Sequence, residues 1–176
     1  MELISKLEKI VLGWAKDVPH LPIAARKWLG TNVWWIVLVG AILTGISVLV
    51  SLAGLFRAID LLGSVSSLYY VGTGYAEGLV VDAAITLVFS AIVAVLMGLA
   101  VKPLQLKQLK GWRMLFLILL VEALSVLVNA VVGFSFFGFI FTLIFGAIGL
   151  AIGAYFVTEI REEFGVTAKK TAPKKA

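Results

Sequence analysis

Few side chains in this sequence could do chemistry, and the first is Glu122. It stands alone in the run "LILLVEALSVLVNAVV", Leu117 to Val132, followed by Ser125 and Asn129. Offsets of three and seven put all three on one side of a helix. A second polar row, Asp82, Thr86 and Ser90, keeps a strict spacing of four. Thr44, Ser47 and Ser51 form a third, and Thr142 stands in a fourth among glycines. A carboxyl group among apolar neighbours can serve in two ways. As a neutral acid, Glu122 could donate a hydrogen bond to Thr44, Ser90 or Thr142 and clip helices together. As a group that exchanges its proton, it could load at mid-membrane, with Asp82 and Asn129 leading outward.

Other chemistry lacks its residues. There is no cysteine, which excludes disulfides, thiolate metal sites and cysteine nucleophiles. His20 is the single histidine. With no Cys, Asp or Glu cluster beside it in sequence, it reads as a loop residue, and no metal or cofactor is expected. No phosphate-binding loop, dinucleotide fingerprint, HExxH or GxSxG occurs. Glu122 and Asp82 lie on different elements at different depths, which is no acid–base pair. The expectation is a protein that is not an enzyme.

The elements that must position these residues follow from composition. Of 176 residues, 61% are hydrophobic and 14% charged, and the mean hydropathy is +1.08. Long apolar runs make this an all-α, polytopic membrane protein of one domain. Four spans are predicted, at about 32–56, 79–101, 113–132 and 136–157. Each is near the ~20 residues that cross a ~30 Å hydrocarbon core. Thr31 or Asn32 would cap the first. Glu122 lies about 13 Å from Arg113, near the midplane. An ionisable residue there costs roughly 2.5–3.5 kcal/mol on insertion scales. Thirteen Leu, Ile, Val or Phe residues from Leu115 to Val132 contribute about −4 to −8 kcal/mol, so the span still inserts. Asp82 is only ~5 Å inside its span, within reach of outer water or Arg57.

Ahead of the spans, Leu3, Leu7, Ile10, Val11 and Trp14 recur at helical spacing. Residues 1–18 are expected to form an amphipathic interfacial helix, with its own protein's inner face as the other surface it could cover. The start does not read as a signal peptide. Residues 19–31, broken by Pro19 and Pro22, form a linker to the membrane domain at 32–165. Leu61, Leu62, Val65, Leu68 and Tyr69 predict a short helix on the outer interface. The tail, residues 166–176, is lysine, alanine, threonine, valine and proline, and is expected to be disordered.

Charge orients the chain. Fourteen of the fifteen basic residues fall before span one, between spans two and three, or after span four; only Arg57 does not. The positive-inside rule then puts both termini in the cytoplasm, at the plasma (inner) membrane. Lys102, Lys107, Lys110 and Arg113 would meet anionic lipid headgroups. The pI near 9.6 has that explanation first, and nucleic acid is not an expected partner.

The span-four glycines, Gly146, Gly149 and Gly153, allow close helix approach. They predict packing within a four-helix bundle, or against a second copy or another membrane protein. Residues 103–164 also carry a recognisable pattern: a basic Gly-Trp entry (Lys110, Gly111, Trp112), a glycine-rich hairpin, and a last span ending in Ile160, Arg161, Glu162. It resembles a type of small bacterial multi-pass membrane protein with no assigned activity. That resemblance implies an inner-membrane location and no substrate, and Glu122 is not part of it. Small four-span multidrug exporters carry a membrane glutamate in their first span, where this chain has none. The leading expectation is a membrane scaffold or complex subunit whose basic face holds lipid or a partner. The alternative is a small proton-coupled transporter or channel component using Glu122.

Overall fold

The computed structural model describes residues 2–15, 17–66, 73–132 and 136–165. Its elements are α1 (Glu2–Ala15), α2 (Ile23–Ser66), α3 (Thr73–Gln105), α4 (Leu109–Val132), α5 (Phe136–Glu159) and a 3-10 turn at Arg161–Glu163. The described residues hold no strand, and α2 to α5 are each long and apolar enough to cross a membrane. The expected all-helical architecture with four apolar spans is what the chain forms.

The helices exceed the predicted spans. α2 has 44 residues, about 66 Å at 1.5 Å per residue, twice a hydrocarbon core. Its N-terminus is set by Pro22, whose carbonyl accepts from Arg26 N at 3.1 Å. Thr31 and Asn32 are therefore interior and cap nothing. Asn32 instead donates to Trp28 O (2.8 Å) and accepts from Trp35 Nε1 (3.0 Å). At the far end no proline interrupts residues 57–66, so Leu61 and Leu62 continue α2 rather than start a separate outer helix. Leu68 and Tyr69 lie outside the described residues, as does the tail.

α3 runs through Pro103 to Gln105. It then stops in a tight two-bond closure: Lys107 N donates to Leu104 O and Gln108 N to Pro103 O, both at 2.9 Å. This is a Schellman ending. Its left-handed position is held by Lys107, at φ 50°, rather than by glycine. α4 starts at once, and Gly111 is why it can. A Cβ there would lie 2.7 Å from Leu104 N and 2.8 Å from the Pro103 carbonyl carbon.

The helices pack in chain order, α2 on α3, α3 on α4 and α4 on α5, while α2 and α5 do not pack along their lengths. Packing among the described residues is thus strongest between helices that are neighbours in the chain. Hardly any residue in the apolar stretches of α2 and α5 is fully buried. The dense core lies instead at one end, around Leu104, Trp112, Phe116, Ile160 and Phe164. Trp112 is 0% exposed. Its ring stacks on Phe116 at 5.8 Å, lies under the Arg161 guanidinium at 4.7 Å, and its Nε1 donates to Val157 O at 2.7 Å. α1, the 106–108 connection and the 3-10 turn gather here, with Gly165 N donating to Lys107 O at 3.1 Å. Lys102, Lys107, Lys110 and Arg113 mark it as the basic end. α1 divides its apolar stripe: Leu7 and Val11 pack on this core, while Ile10 and Trp14 stay exposed.

Candidate functional site

Glu122 sits where α4 meets α5. Three residues before it, Leu119 lies over Gly153; four residues after, Val126 lies over Gly146. Glu122 therefore belongs to the same α4 face, and the antiparallel register sets it beside Gly149. A Cβ on Gly149 would meet nothing within 4 Å. Of the three glycines, two are pressed by α4 side chains and the middle one borders open space. Glu122 is exposed. Among the described residues it makes no hydrogen bond and no ion pair.

The other polar residues stay apart from it. Asn129 Nδ2 donates to Ser125 O at 2.9 Å and Ser125 Oγ at 3.2 Å, so its amide is engaged within its own helix. Thr44 Oγ1 donates to Met97 Sδ at 3.8 Å, tying α2 to α3. Asp82 is exposed, and Thr86 and Ser90 are half-buried on α3. Thr142 is half-buried on α5 and does not receive a bond from Glu122. No chain of hydrogen bonds joins Asp82, Glu122 and Asn129 among the described residues.

The basic end holds a second constellation. Glu159, whose side chain is 2% exposed, closes on the linker after α1. His20 Nδ1 lies 2.6 Å from Glu159 Oε1, and Leu21 N donates to Oε2 at 2.9 Å. A carboxylate only accepts, so Nδ1 bears the proton in this contact. Arg26 Nε lies 3.8 Å from the same carboxylate and Arg26 Nη1 3.6 Å from Glu162. Tyr155 Oη donates to Pro19 O at 2.9 Å. Glu8 on α1 lies 3.5 Å from Arg161 Nε and 4.0 Å from Arg113 Nε.

Sequence reasoning missed this knot. It reads His20 as a loop residue and gives Glu159 no role, because the two are 139 residues apart. The one available signal was a carboxylate ending an apolar span while a histidine stood between two prolines. The headgroup lysines also divide. Lys102 and Lys110 are exposed. Lys107 Nζ donates to Thr31 Oγ1 at 3.0 Å, and Arg113 leans toward Glu8. No group of three or more potential metal ligands occurs among the described residues. Comparison with family models, curated proteins and solved structures finds no match.

Proposed function

We propose that the chain is a non-enzymatic subunit of an integral membrane assembly. It would sit in the inner membrane with both termini cytoplasmic and its basic end at the lipid headgroups. The partner at its α4–α5 face is a second copy of itself. The observation that carries this is Glu122, which is exposed, makes no hydrogen bond or ion pair among the described residues, and falls in register with the uncrowded Gly149. A carboxyl group left in hydrocarbon costs roughly 2.5–3.5 kcal/mol. A second copy in the same orientation brings an identical carboxyl to the same depth, and in a two-fold interface a residue near the axis meets itself. Two protonated carboxyl groups can hydrogen-bond to each other, each O–H donating to the other's carbonyl oxygen, and leave no net charge in the hydrocarbon. Gly149 leaves room for the approaching helix.

The test is subunit counting by single-molecule photobleaching in bilayers. The wild-type chain should count as two. Glu122→Gln should still pair, through amide–amide hydrogen bonds, and Glu122→Leu should show a lower paired fraction than wild type at the same density. A chain that is monomeric at every density, or a Leu variant that pairs as well as wild type, overturns the proposal. A proton-coupled transporter has less support, since Glu122 is not joined to Asp82 or Asn129 among the described residues.

A further inference from the structure

Two cavities at the basic end share a wall. The first is an apolar groove of about 590 Å³ between α1 and α5, lined by Val11, Trp14, Val18, Ile152, Tyr155 and Phe156 among others. The second is a polar notch of about 330 Å³, lined by His20, Arg26, Glu159, Arg161 and Glu162. Ala15 and Thr158 line both. Along α5 the groove spans residues 151–158, and the notch follows from 158 to 162. Apolar surface thus lies toward the spans and polar surface toward the basic end, which is the order of an amphiphile's chain and head. The groove's size is within the roughly 300–1,000 Å³ of small-molecule sites.

Two guanidinium groups line the notch, each held only by long contacts to carboxylates. Arg26 Nε and Arg161 Nε are buried with no hydrogen-bond partner, although each guanidinium has a carboxylate within 4 Å. Guanidinium groups bind phosphate oxygens through paired N–H donors. The charges also select among heads. Arg26 lies against Glu159 and Glu162, Arg161 lies against Glu8, and His20 is already engaged by Glu159. A purely anionic head gains little net attraction there. It would also face the Glu162 carboxylate, whose side chain is 84% exposed. A head carrying a phosphate and a primary ammonium a few bonds apart matches both signs.

We infer that the joined groove and notch form a binding site for one ethanolamine-headed phospholipid. An acyl chain lies between α1 and α5, the phosphate meets Arg26 and Arg161, and the ammonium meets Glu162. The inference rests on the reading of the basic end as the inner membrane surface, and is independent of pairing through Glu122. It also separates this site from the exposed Lys102 and Lys110, whose isolated charges suit anionic lipid without a defined pose.

The experiment is native mass spectrometry of the full chain released from detergent, with equal amounts of ethanolamine-, choline- and glycerol-headed phospholipids of matched acyl chains. One ethanolamine lipid should be retained at least about fivefold over either competitor, a difference of roughly 1 kcal/mol. Glu162→Gln should erase the preference over the choline lipid while keeping total retention. Ala151→Trp, which fills the groove, should lower retention of all three. Equal or stronger retention of the glycerol-headed lipid, or an ethanolamine preference unchanged in both variants, overturns the inference. A chain extracted from membranes by alkaline carbonate would instead refute the membrane reading beneath it. Failure of the lipid site alone leaves the chain embedded.

Discussion

Replacing Glu122 with leucine should act with opposite signs on the single chain and on the pair. In an isolated chain the Glu122 side chain is exposed and bonded to nothing described; under the proposed membrane reading it meets hydrocarbon. Insertion scales place an acidic residue at the centre near +2.5 to +3.5 kcal/mol and leucine near −0.3 to −0.6. The difference, about 3–4 kcal/mol, is an upper bound, because the side chain can reach water defects or snorkel. A gain of about 1–2 kcal/mol in the stability of the lone chain is therefore expected. Interhelical hydrogen bonds in membranes contribute about 0.6 kcal/mol on average and at most about 1.7. A pair joined by one such bond should weaken by about 3- to 20-fold when it is lost. The assay is thermal unfolding in nanodiscs loaded with one chain each, beside subunit counting in large vesicles. Glu122→Leu should raise the midpoint in single-chain discs and lower the paired fraction in vesicles. A lower midpoint in single-chain discs would refute the reasoning. It would mean that Glu122 bonds within its own chain and that its exposed setting is not the functional one.

Four further outcomes follow from the packing. Gly111→Ala forces a methyl against the backbone of Pro103 and Leu104, which cannot give way like a side chain; a loss of about 1–3 kcal/mol in unfolding stability is expected. Trp112→Phe keeps the stack on Phe116 but removes the donor to Val157 O, costing about 1–3 kcal/mol by the same measurement. Lys107→Gly should be near neutral, since about 1 kcal/mol of left-handed strain is relieved while the bond to Thr31 is lost, whereas Lys107→Ile should cost more than 1 kcal/mol. Glu159→Gln removes the charge that His20 and Arg26 share. Hydrogen exchange should then quicken at residues 17–22 and stay unchanged in α3 and α4.

What the sequence made legible is governed by range. The four spans were visible because hydropathy over some twenty residues is a local property. The α4–α5 contact was partly visible, since Gly146 and Gly153 announce close approach, yet spacing alone could not say that Gly149 would be left open. The extent of α2 was hidden, because its polar ends carry no breaker and helix continues past the apolar run. Lys107 in a left-handed turn was hidden too, because glycine is the residue that normally signals one. Least visible was the knot of Glu8, His20, Arg26, Glu159 and Arg161. Each member is an ordinary flanking charge until folding joins segments from opposite ends of the chain.

That knot bears on how the protein is made. Hydrophobic spans can enter the bilayer one at a time, each stable before it has neighbours. The dense core among the described residues, however, contains Ile160 and Phe164, and is bolted by Glu159 to residues 20–21 and by Gly165 to Lys107. Those parts are synthesised after every span. A nascent chain halted before residue 159 would thus hold its long apolar helices but lack the carboxylate that takes up residues 20–21 and the arginine that meets Glu8, leaving α1 only its contacts to Arg113 and the earlier turns of α5. The seat of α1 is complete only once translation has passed α5, so the basic end is the last part of the molecule to lock.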